Sequence, residues 1–172
     1  KITGHKIIET KPSLCALDIK EKYLYKLSGL SFQNISLSAK FKKNKYNAEG
    51  DLLFTHKSIS GPVIFKLSSM TAYDNFNEEI PLEISLNLSS LSIEEIEQEI
   101  RNNSKKSIKN VFSKFVPESF INEIIQKNEI EGSKQTSQLK NTEKEILIEA
   151  ITNFKLHAEK RINGSEIVTA GG

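Results

Sequence analysis

A histidine beside a helix start is the feature of this sequence best suited to chemistry, and it lies in the segment Gly50–Ser69. Asp51–Thr55 is typical of a strand, and a polar loop that begins with His56 follows it. Ser60 is a good helix N-cap, and Pro62 suits the first helical turn, where a missing N–H does no harm. Backbone N–H groups beside His56 would suit an anion or a carbonyl group. A capped core helix behind a buried strand would explain the same pattern without any chemistry.

The rest of the sequence offers few other reactive groups. It contains no glycine-rich nucleotide loop and no Cys-x-x-Cys pair, so neither a nucleotide cradle nor a zinc knuckle is predicted. The three histidines, His5, His56 and His157, lack the spacing of metal ligands, and no metal site is expected. The single cysteine, Cys15, alternates with branched apolar residues, which favours a buried apolar position over a reactive thiol.

Composition and charge are those of an ordinary globular domain. The 172 residues are 37% hydrophobic and 27% charged, and 24 basic against 22 acidic side chains give a formal net charge of +2. No global field therefore indicates a polyanionic partner, and no apolar run approaches the roughly 20 residues that span a bilayer. We expect a cytoplasmic protein without membrane contact. The chain starts without methionine and stops at Ala170-Gly171-Gly172, which suggests a piece of a longer protein.

Alternating apolar and polar residues predict antiparallel strands on both sides of the chain's middle. From Phe32 to Phe41 the alternation is nearly strict, and Lys43-Asn44-Lys45 predicts the turn that follows. A second alternation runs from Ile80 to Leu88, and a third runs from Lys155 to Ile162. These segments should be half-exposed strands with one face on a core.

Between the last two of these strands the apolar period changes to that of a helix. Ser92 and Glu95 form a capping box before the first predicted helix, and Thr142 and Glu145 form another before the fourth. Two further apolar stripes predict helices between them. The middle of the chain is therefore expected to be a compact helical insertion.

Together these patterns predict an α+β fold. Residues 1–90 and 155–172 are expected to form an antiparallel barrel-like or sandwich-like β portion, and residues 91–154 an inserted helical bundle. Asn163-Gly164 is a strong hairpin signal, and it predicts a strand that returns at Glu166–Thr169.

A basic run lies in the predicted helices. It consists of Arg101, Lys105, Lys106, Lys109 and Lys114, with no acidic residue among them. A solvated helix face is favoured over a nucleic-acid contact, because the nearby aromatic side chains fall on the apolar stripe. The alternative function is a non-catalytic binding module that docks RNA or a protein partner through this basic helical face. A role in dimerisation is a further alternative.

Several motifs, in their order along the chain, resemble one known family, the HI0933-like (BaiN, aminoacetone-oxidase-type) FAD-dependent flavoproteins of bacteria. The match is densest at Gly50, at Leu52-Leu53-Phe54-Thr55-His56 and at Ser60-Gly61-Pro62, and it ends on Val168-Thr169-Ala170-Gly171-Gly172. The resemblance spans the chain from end to end, although the helical middle matches only in pattern.

The resemblance implies that this chain is a domain inserted into a two-part FAD-binding domain, which would be its partner. The parent would be an FAD-dependent oxidoreductase, and the chain alone would be inactive. The flavin would be approached by the backbone of four residues at the end of the chain, Thr169, Ala170, Gly171 and Gly172. The insert would shape the access of a small-molecule substrate or of NAD(P)H to that flavin.

The resemblance also implies which residues would meet the substrate. His56 is the predicted catalytic residue, through a hydrogen bond to substrate or flavin, and the predicted substrate-binding residues are Thr55, His56, Ser60, Gly61 and Pro62. After the histidine the family usually carries an aromatic or similar residue and then glycine, whereas Lys57 and Ser58 stand here.

Overall fold

Strands and helices segregate along this chain. The computed structural model describes residues 8–162, 164 and 168–171. The chain divides into two compact units, Lys1–Ile84 with Leu156–Gly172, and Ser85–Lys155. We call the first the barrel unit and the second the helical unit, after the elements that dominate them. The predicted α+β class is confirmed.

The described residues form eight strands, five α-helices and two short 3-10 helices. The strands are β1 Lys11–Ser13, β2 Leu17–Ile19, β3 Ser31–Phe41, β4 Asn44–Phe54, β5 Ile59–Ser60, β6 Leu82–Asn87, β7 Phe154–Arg161 and β8 Val168–Ala170. The α-helices are α1 Pro62–Met70, α2 Ile93–Asn102, α3 Ile108–Phe112, α4 Glu118–Lys127 and α5 Asn141–Thr152. The 3-10 helices are Lys22–Leu27 and Thr136–Gln138.

A closed barrel is the centre of the barrel unit, and the predicted barrel-like portion is confirmed. Its strand order is β2-β5-β4-β3-β6-β7. The longest pairing joins β3 to β4 in antiparallel register, from Ser31 opposite Leu53 to Phe41 opposite Asn44. This register places the turn at Lys42-Lys43, one residue earlier than predicted.

Alternation along β3 explains why this strand faces the core on one side only. Ile35, Leu37, Ala39 and Phe41 are each at most 5% exposed, while the serines and Lys40 between them are exposed. This burial pattern confirms the sequence prediction for residues 32–41. Helix α1 adds Val63, Ile64 and Leu67 to the same core, all with 0% exposure.

The last described strand does not form the predicted hairpin with β7. Asn163 and residues 165–167 lie outside the described residues. Val168–Ala170 pairs with β1 instead, with Lys11 opposite Ala170 and Ser13 opposite Val168, in a separate two-stranded sheet. The hairpin signal is local and could not reveal a partner near the start of the chain.

Helix caps set the boundaries in the helical unit. The capping box of α2 is confirmed, because Ser92 Oγ accepts from Glu95 N at 3.2 Å and Glu95 Oε2 accepts from Ser92 N at 2.8 Å. The predicted box at Thr142 is wrong by two residues. Helix α5 begins at Asn141, and Glu143 Oε2 accepts from the backbone N–H of Lys140 at 2.9 Å.

Packing in the helical unit is built from aromatic and branched residues. Phe120 and Phe154 meet edge to face with their ring centroids 5.1 Å apart, and Phe112 is fully buried. None of the helices in the described part of the chain is long and apolar enough to cross a membrane.

Candidate functional site

His56 lies at the tip of a tight turn between β4 and β5. Thr55 closes this turn, since its N–H and its hydroxyl both donate to the Ser58 carbonyl oxygen at 2.9 Å. The Thr55 and Ser58 hydroxyl oxygens are also 2.6 Å apart. His56 and Lys57 are exposed, whereas Ser58 is only 6% exposed. The hydrogen bonds between Thr55 and Ser58 therefore hold a turn that exposes the imidazole of His56 and the ammonium group of Lys57 to solvent.

Helix α1 is capped by Gly61, so the predicted N-cap role of Ser60 is wrong. Ser60 belongs to β5, where it pairs with Leu53, and no side chain caps the helix. Gly61 has φ of 100°, and a Cβ there would lie 2.6 Å from the Asp51 carbonyl oxygen. Only glycine fits this position, because the backbone is both left-handed and tightly packed. Pro62 is the first helical residue, as expected.

The start of α1 is covered in part by β4. A Cβ on Gly50 would lie 3.3 Å from the Val63 nitrogen, which shows how closely the strand backbone passes the helix. The N–H groups of Ile64 and Phe65 both donate to the Gly61 carbonyl oxygen at 3.0 Å. Of the predicted substrate-binding residues at this helix start, Pro62 alone is exposed. A ligand would therefore meet the turn at His56 more readily than the helix start.

The predicted flavin-binding residues lie in or beside the β1–β8 sheet. Thr169 is opposite Pro12, and Ala170 is opposite Lys11. Gly171 has φ of 95°, and a Cβ there would lie 2.5 Å from the Tyr73 hydroxyl oxygen and 2.7 Å from the Glu9 carbonyl oxygen. Gly172 lies outside the described residues. The space where a side chain of residue 171 would lie is thus occupied by Tyr73 and the Glu9 backbone. The described residues of this group do not form an FAD cradle on their own.

The structure does not join the two predicted groups of site residues. Ser60 and Gly61 lead into α1, whereas the segment after β1 is tied to its last turns by a hydrogen bond from Cys15 N to Ser68 Oγ at 2.9 Å. A helix of nine residues is about 13 Å long. The His56 turn and the β1–β8 sheet therefore flank opposite ends of α1.

The densest cluster of titratable side chains surrounds Asp18 on β2. Its carboxylate accepts hydrogen bonds from Lys22 Nζ and Tyr25 Oη, and Lys160 Nζ is 3.4 Å away. Burial acts to raise the pKa of Asp18, but the hydrogen bonds from Lys22 and Tyr25 outweigh it and lower the pKa. Lys22 also pairs with Glu159 at 3.1 Å. Since every charge here has a partner, the cluster holds the 3-10 helix Lys22–Leu27 to the barrel and needs no ligand.

The histidines provide no metal centre in the part of the chain that the structure describes. His157 Nδ1 is 2.8 Å from Glu21 Oε1, and its side chain is 39% exposed. No group of three or more His, Cys, Asp or Glu side chains among the described residues is placed to hold a metal ion.

Glutamates neutralise most of the basic run in the helical unit. Three of its five cations form ion pairs: Arg101 with Glu97 at 3.5 Å, Lys109 with Glu118 at 2.7 Å, and Lys114 with Glu99. The hydrogen bond from Lys114 lowers the pKa of Glu99. The whole unit contains ten basic and eleven acidic side chains. Three of the five predicted cations are therefore paired with glutamates, and the charge of the unit as a whole is nearly balanced.

Comparison with known proteins bears out the resemblance predicted above. A family model described as the HI0933-like protein barrel and H2TH domain matches residues 11–166. The chain belongs to this family. The matched range includes seven of the eight described strands and all five α-helices.

One relative of this HI0933-like chain has a named activity. The ribosomal RNA dihydrouridine synthase of Haemophilus influenzae is 28% identical over 176 residues. The alignment covers 98% of this chain and 40% of that relative, so the chain spans less than half the relative's length.

A cluster of lysines at the tip of the β3–β4 hairpin was missed by sequence reasoning, which predicted only a turn there. Four of the six residues 40–45 are lysines, and all four are exposed. The sequence does indicate an unbalanced positive charge here, because no acidic residue occurs between Glu21 and Glu49. We call Lys40, Lys42, Lys43 and Lys45 the hairpin lysines.

Proposed function

We propose that this HI0933-like chain is the inserted, substrate-handling domain of a flavin-dependent oxidoreductase that reduces uridine in RNA. One observation carries the proposal: the alignment with a ribosomal RNA dihydrouridine synthase covers 98% of this chain. The family resemblance implied a small-molecule substrate. The named activity of the relative supports RNA as the substrate class instead.

The pairing of β1 with β8 supports the role of an insert. Lys11 and Ala170, near opposite ends of the chain, are Cα partners in one antiparallel ladder. A domain inserted into another must enter and leave at nearby points, and adjacent ends meet this requirement. The chain's coverage of only 40% of its relative agrees with this arrangement.

Exposed apolar side chains near the same sheet support docking to the FAD-binding part of the parent. Ile8, Met70, Tyr73 and Val168 are between 43% and 55% exposed. Tyr73 Oη donates to the Glu9 carbonyl oxygen at 3.3 Å, which ties it to the segment before β1. A contiguous surface of such side chains would be typical of a protein interface. The covering partner in this proposal is the parent's own FAD-binding domain.

FAD would be held by residues outside this chain, because the described residues contain no nucleotide cradle and Gly171 is filled by Tyr73. FAD, once reduced by NAD(P)H, would supply a hydride to the uridine ring, and a proton taken up from solvent would complete the saturation of its C5–C6 double bond. This chain would bind and orient the RNA. His56, exposed on a fixed turn, would donate a hydrogen bond to a uridine carbonyl group, and Lys57 beside it would face a phosphate. Contact of Thr169–Gly171 with the flavin belongs to the same proposal.

The test uses the full-length protein. We expect it to purify with bound flavin and, with NAD(P)H, to convert uridines of a ribosomal RNA transcript to dihydrouridine, detected by mass spectrometry as a gain of two hydrogens. A preparation that takes up no FAD would refute the flavoprotein assignment. Bound FAD that is reduced by NAD(P)H without any change in the RNA would refute the substrate class.

His56→Ala tests the site residue. We expect turnover of the full-length enzyme to fall about tenfold or more, because one substrate hydrogen bond is lost. The thermal midpoint should not change, since the side chain is exposed. Glu78→Ala, at another exposed position of the barrel unit, is the matched control. Unchanged turnover in His56→Ala would remove His56 from the site.

A further inference from the structure

We propose that the hairpin lysines form the contact surface for the RNA phosphate backbone. This inference deepens the proposed function and rests on it for the RNA substrate. It assigns the electrostatic contact to the tip of the β3–β4 hairpin and not to the basic run of the helical unit.

The hairpin lysines carry charge that the protein leaves unbalanced. Within the described residues none of the four forms an ion pair, and only Lys42 has a charge-dependent contact, with its Nζ 5.3 Å from the centroid of the Phe41 ring. The alternation that buries Phe41 turns Lys40 outward. Unpaired ammonium groups projecting from one small surface are suited to neutralising several phosphates together.

Two of these charges are placed where they repel each other. Lys40 and Lys45 are direct Cα partners across the hairpin, and side chains of such a pair share one face of the sheet. Like charges directly opposite each other destabilise a sheet. A bound phosphate would relieve this repulsion, so the pairing itself indicates an anionic ligand.

The hairpin tip is held rigidly from behind. Asp74 accepts hydrogen bonds from Asn44 Nδ2 at 3.3 Å and from Tyr46 Oη at 2.5 Å. The Phe41 ring meets the Phe76 ring edge to face, with centroids 6.2 Å apart. The Asp74 carboxylate accepts these two bonds, and among the described residues it forms no ion pair with a hairpin lysine.

Arg161 fixes the loop that holds the tip. It donates to the carbonyl oxygens of Thr71 and Asp74, and its guanidinium carbon lies 4.4 Å from the centroid of the Phe76 ring. Arg161 is therefore a positioning residue, and it keeps Asp74 and Phe76 in place behind the hairpin. A preorganised group of cations loses less conformational entropy on binding than one that must be ordered first.

The chemistry of lysine defines the kind of contact. An ammonium group meets phosphate as a point charge, and contacts to phosphate carry no sequence information directly. The surface should therefore position RNA of many sequences, while the choice of uridine is made elsewhere. An anionic lipid surface carries phosphates too, and the test below separates the two sources.

The experiment compares two pairs of adjacent, exposed lysines in the full-length protein. Lys42→Gln/Lys43→Gln changes the hairpin, and Lys105→Gln/Lys106→Gln is the matched control in the helical unit. Binding of a ribosomal RNA fragment is followed by fluorescence anisotropy over a series of salt concentrations. We expect the hairpin variant to bind about tenfold more weakly at low salt, with a salt slope shallower by about 1.4. The control should behave as wild type.

Each other outcome overturns the inference in a different way. Equal binding by wild type and the hairpin variant would reject the hairpin surface and leave the proposed function standing. A loss confined to the Lys105/Lys106 variant would move the RNA to the helical unit. Absence of RNA binding by wild type would reject both the hairpin surface and the RNA substrate. Binding of wild type to phosphatidylserine vesicles but not to RNA would assign the lysines to a membrane surface.

Discussion

The basic run of the helical unit and the hairpin lysines look alike in sequence and differ in the folded protein. In the helical unit Lys114 pairs with Glu99, and Lys144 pairs with Glu97 at 2.9 Å. Among the described residues the hairpin lysines have no such partners. A run of cations therefore indicates a polyanion surface only when the fold supplies no carboxylates to it.

The difference arises from where the carboxylates lie in the chain. In the helical unit, two glutamates in the first two turns of α2 pair with lysines from later segments. Lys114 and Glu99 are 15 residues apart, and Lys144 and Glu97 are 47 apart. In the barrel unit, antiparallel pairing brings Lys40 to Lys45, which is lysine to lysine. Long-range pairing thus removes charge in one unit and concentrates it in the other.

Breaking the support of the hairpin should have the largest effect. Arg161→Met removes the guanidinium donor of the Asp74 carbonyl oxygen and one of the two donors of the Thr71 carbonyl oxygen, and we expect a loss of about 2 kcal/mol in the free energy of unfolding. RNA affinity should also fall severalfold, although every hairpin lysine is retained. Chemical denaturation and anisotropy measure the two effects.

The conservative variant Arg161→Lys distinguishes positioning from direct contact. It keeps the charge but loses the planar fork that reaches two carbonyl groups, so we expect intermediate stability and intermediate RNA affinity. Full RNA affinity in Arg161→Lys with the stability of Arg161→Met would show that the charge itself meets RNA, which contradicts the positioning role.

Releasing the cations of the helical unit should have a smaller effect on RNA binding, and it should strengthen binding instead of weakening it. Glu97→Gln/Glu99→Gln frees Arg101, Lys114 and Lys144 from their ion pairs. The thermal midpoint should change little, because exposed ion pairs contribute little to stability. The salt slope of RNA binding should steepen by about 0.7 for each cation that gains a phosphate. An unchanged slope would mean that RNA never approaches this face.

Much of the fold follows from local patterns in the sequence. The alternation in residues 32–41 identified the buried face of β3, and the Ser92/Glu95 box identified the start of α2. Both depend only on neighbouring residues. Gly61 was not foreseen as the cap of α1, because the carbonyl oxygen that excludes a Cβ there belongs to Asp51, on an adjacent strand. The pairing of β1 with β8 was missed for the same reason, since it joins opposite ends of the chain.

The site was harder to predict than the fold. The sequence placed His56 on a turn after a strand, and the structure has such a turn. The joint exposure of His56 and Lys57 could not be predicted, because it depends on the hydrogen bonds between Thr55 and Ser58. The sequence offered the basic face of the helical unit only as an alternative site for RNA and did not single out the hairpin lysines, because a sequence shows charges without their partners in space.

The most direct test of the account is to locate RNA on the protein. The full-length protein is crosslinked to a ribosomal RNA fragment by ultraviolet light, and the crosslinked peptides are identified by mass spectrometry. We expect crosslinks in the hairpin segment 40–46 and at the turn that carries His56. Crosslinks confined to residues 101–114, with none in the hairpin, would contradict the account.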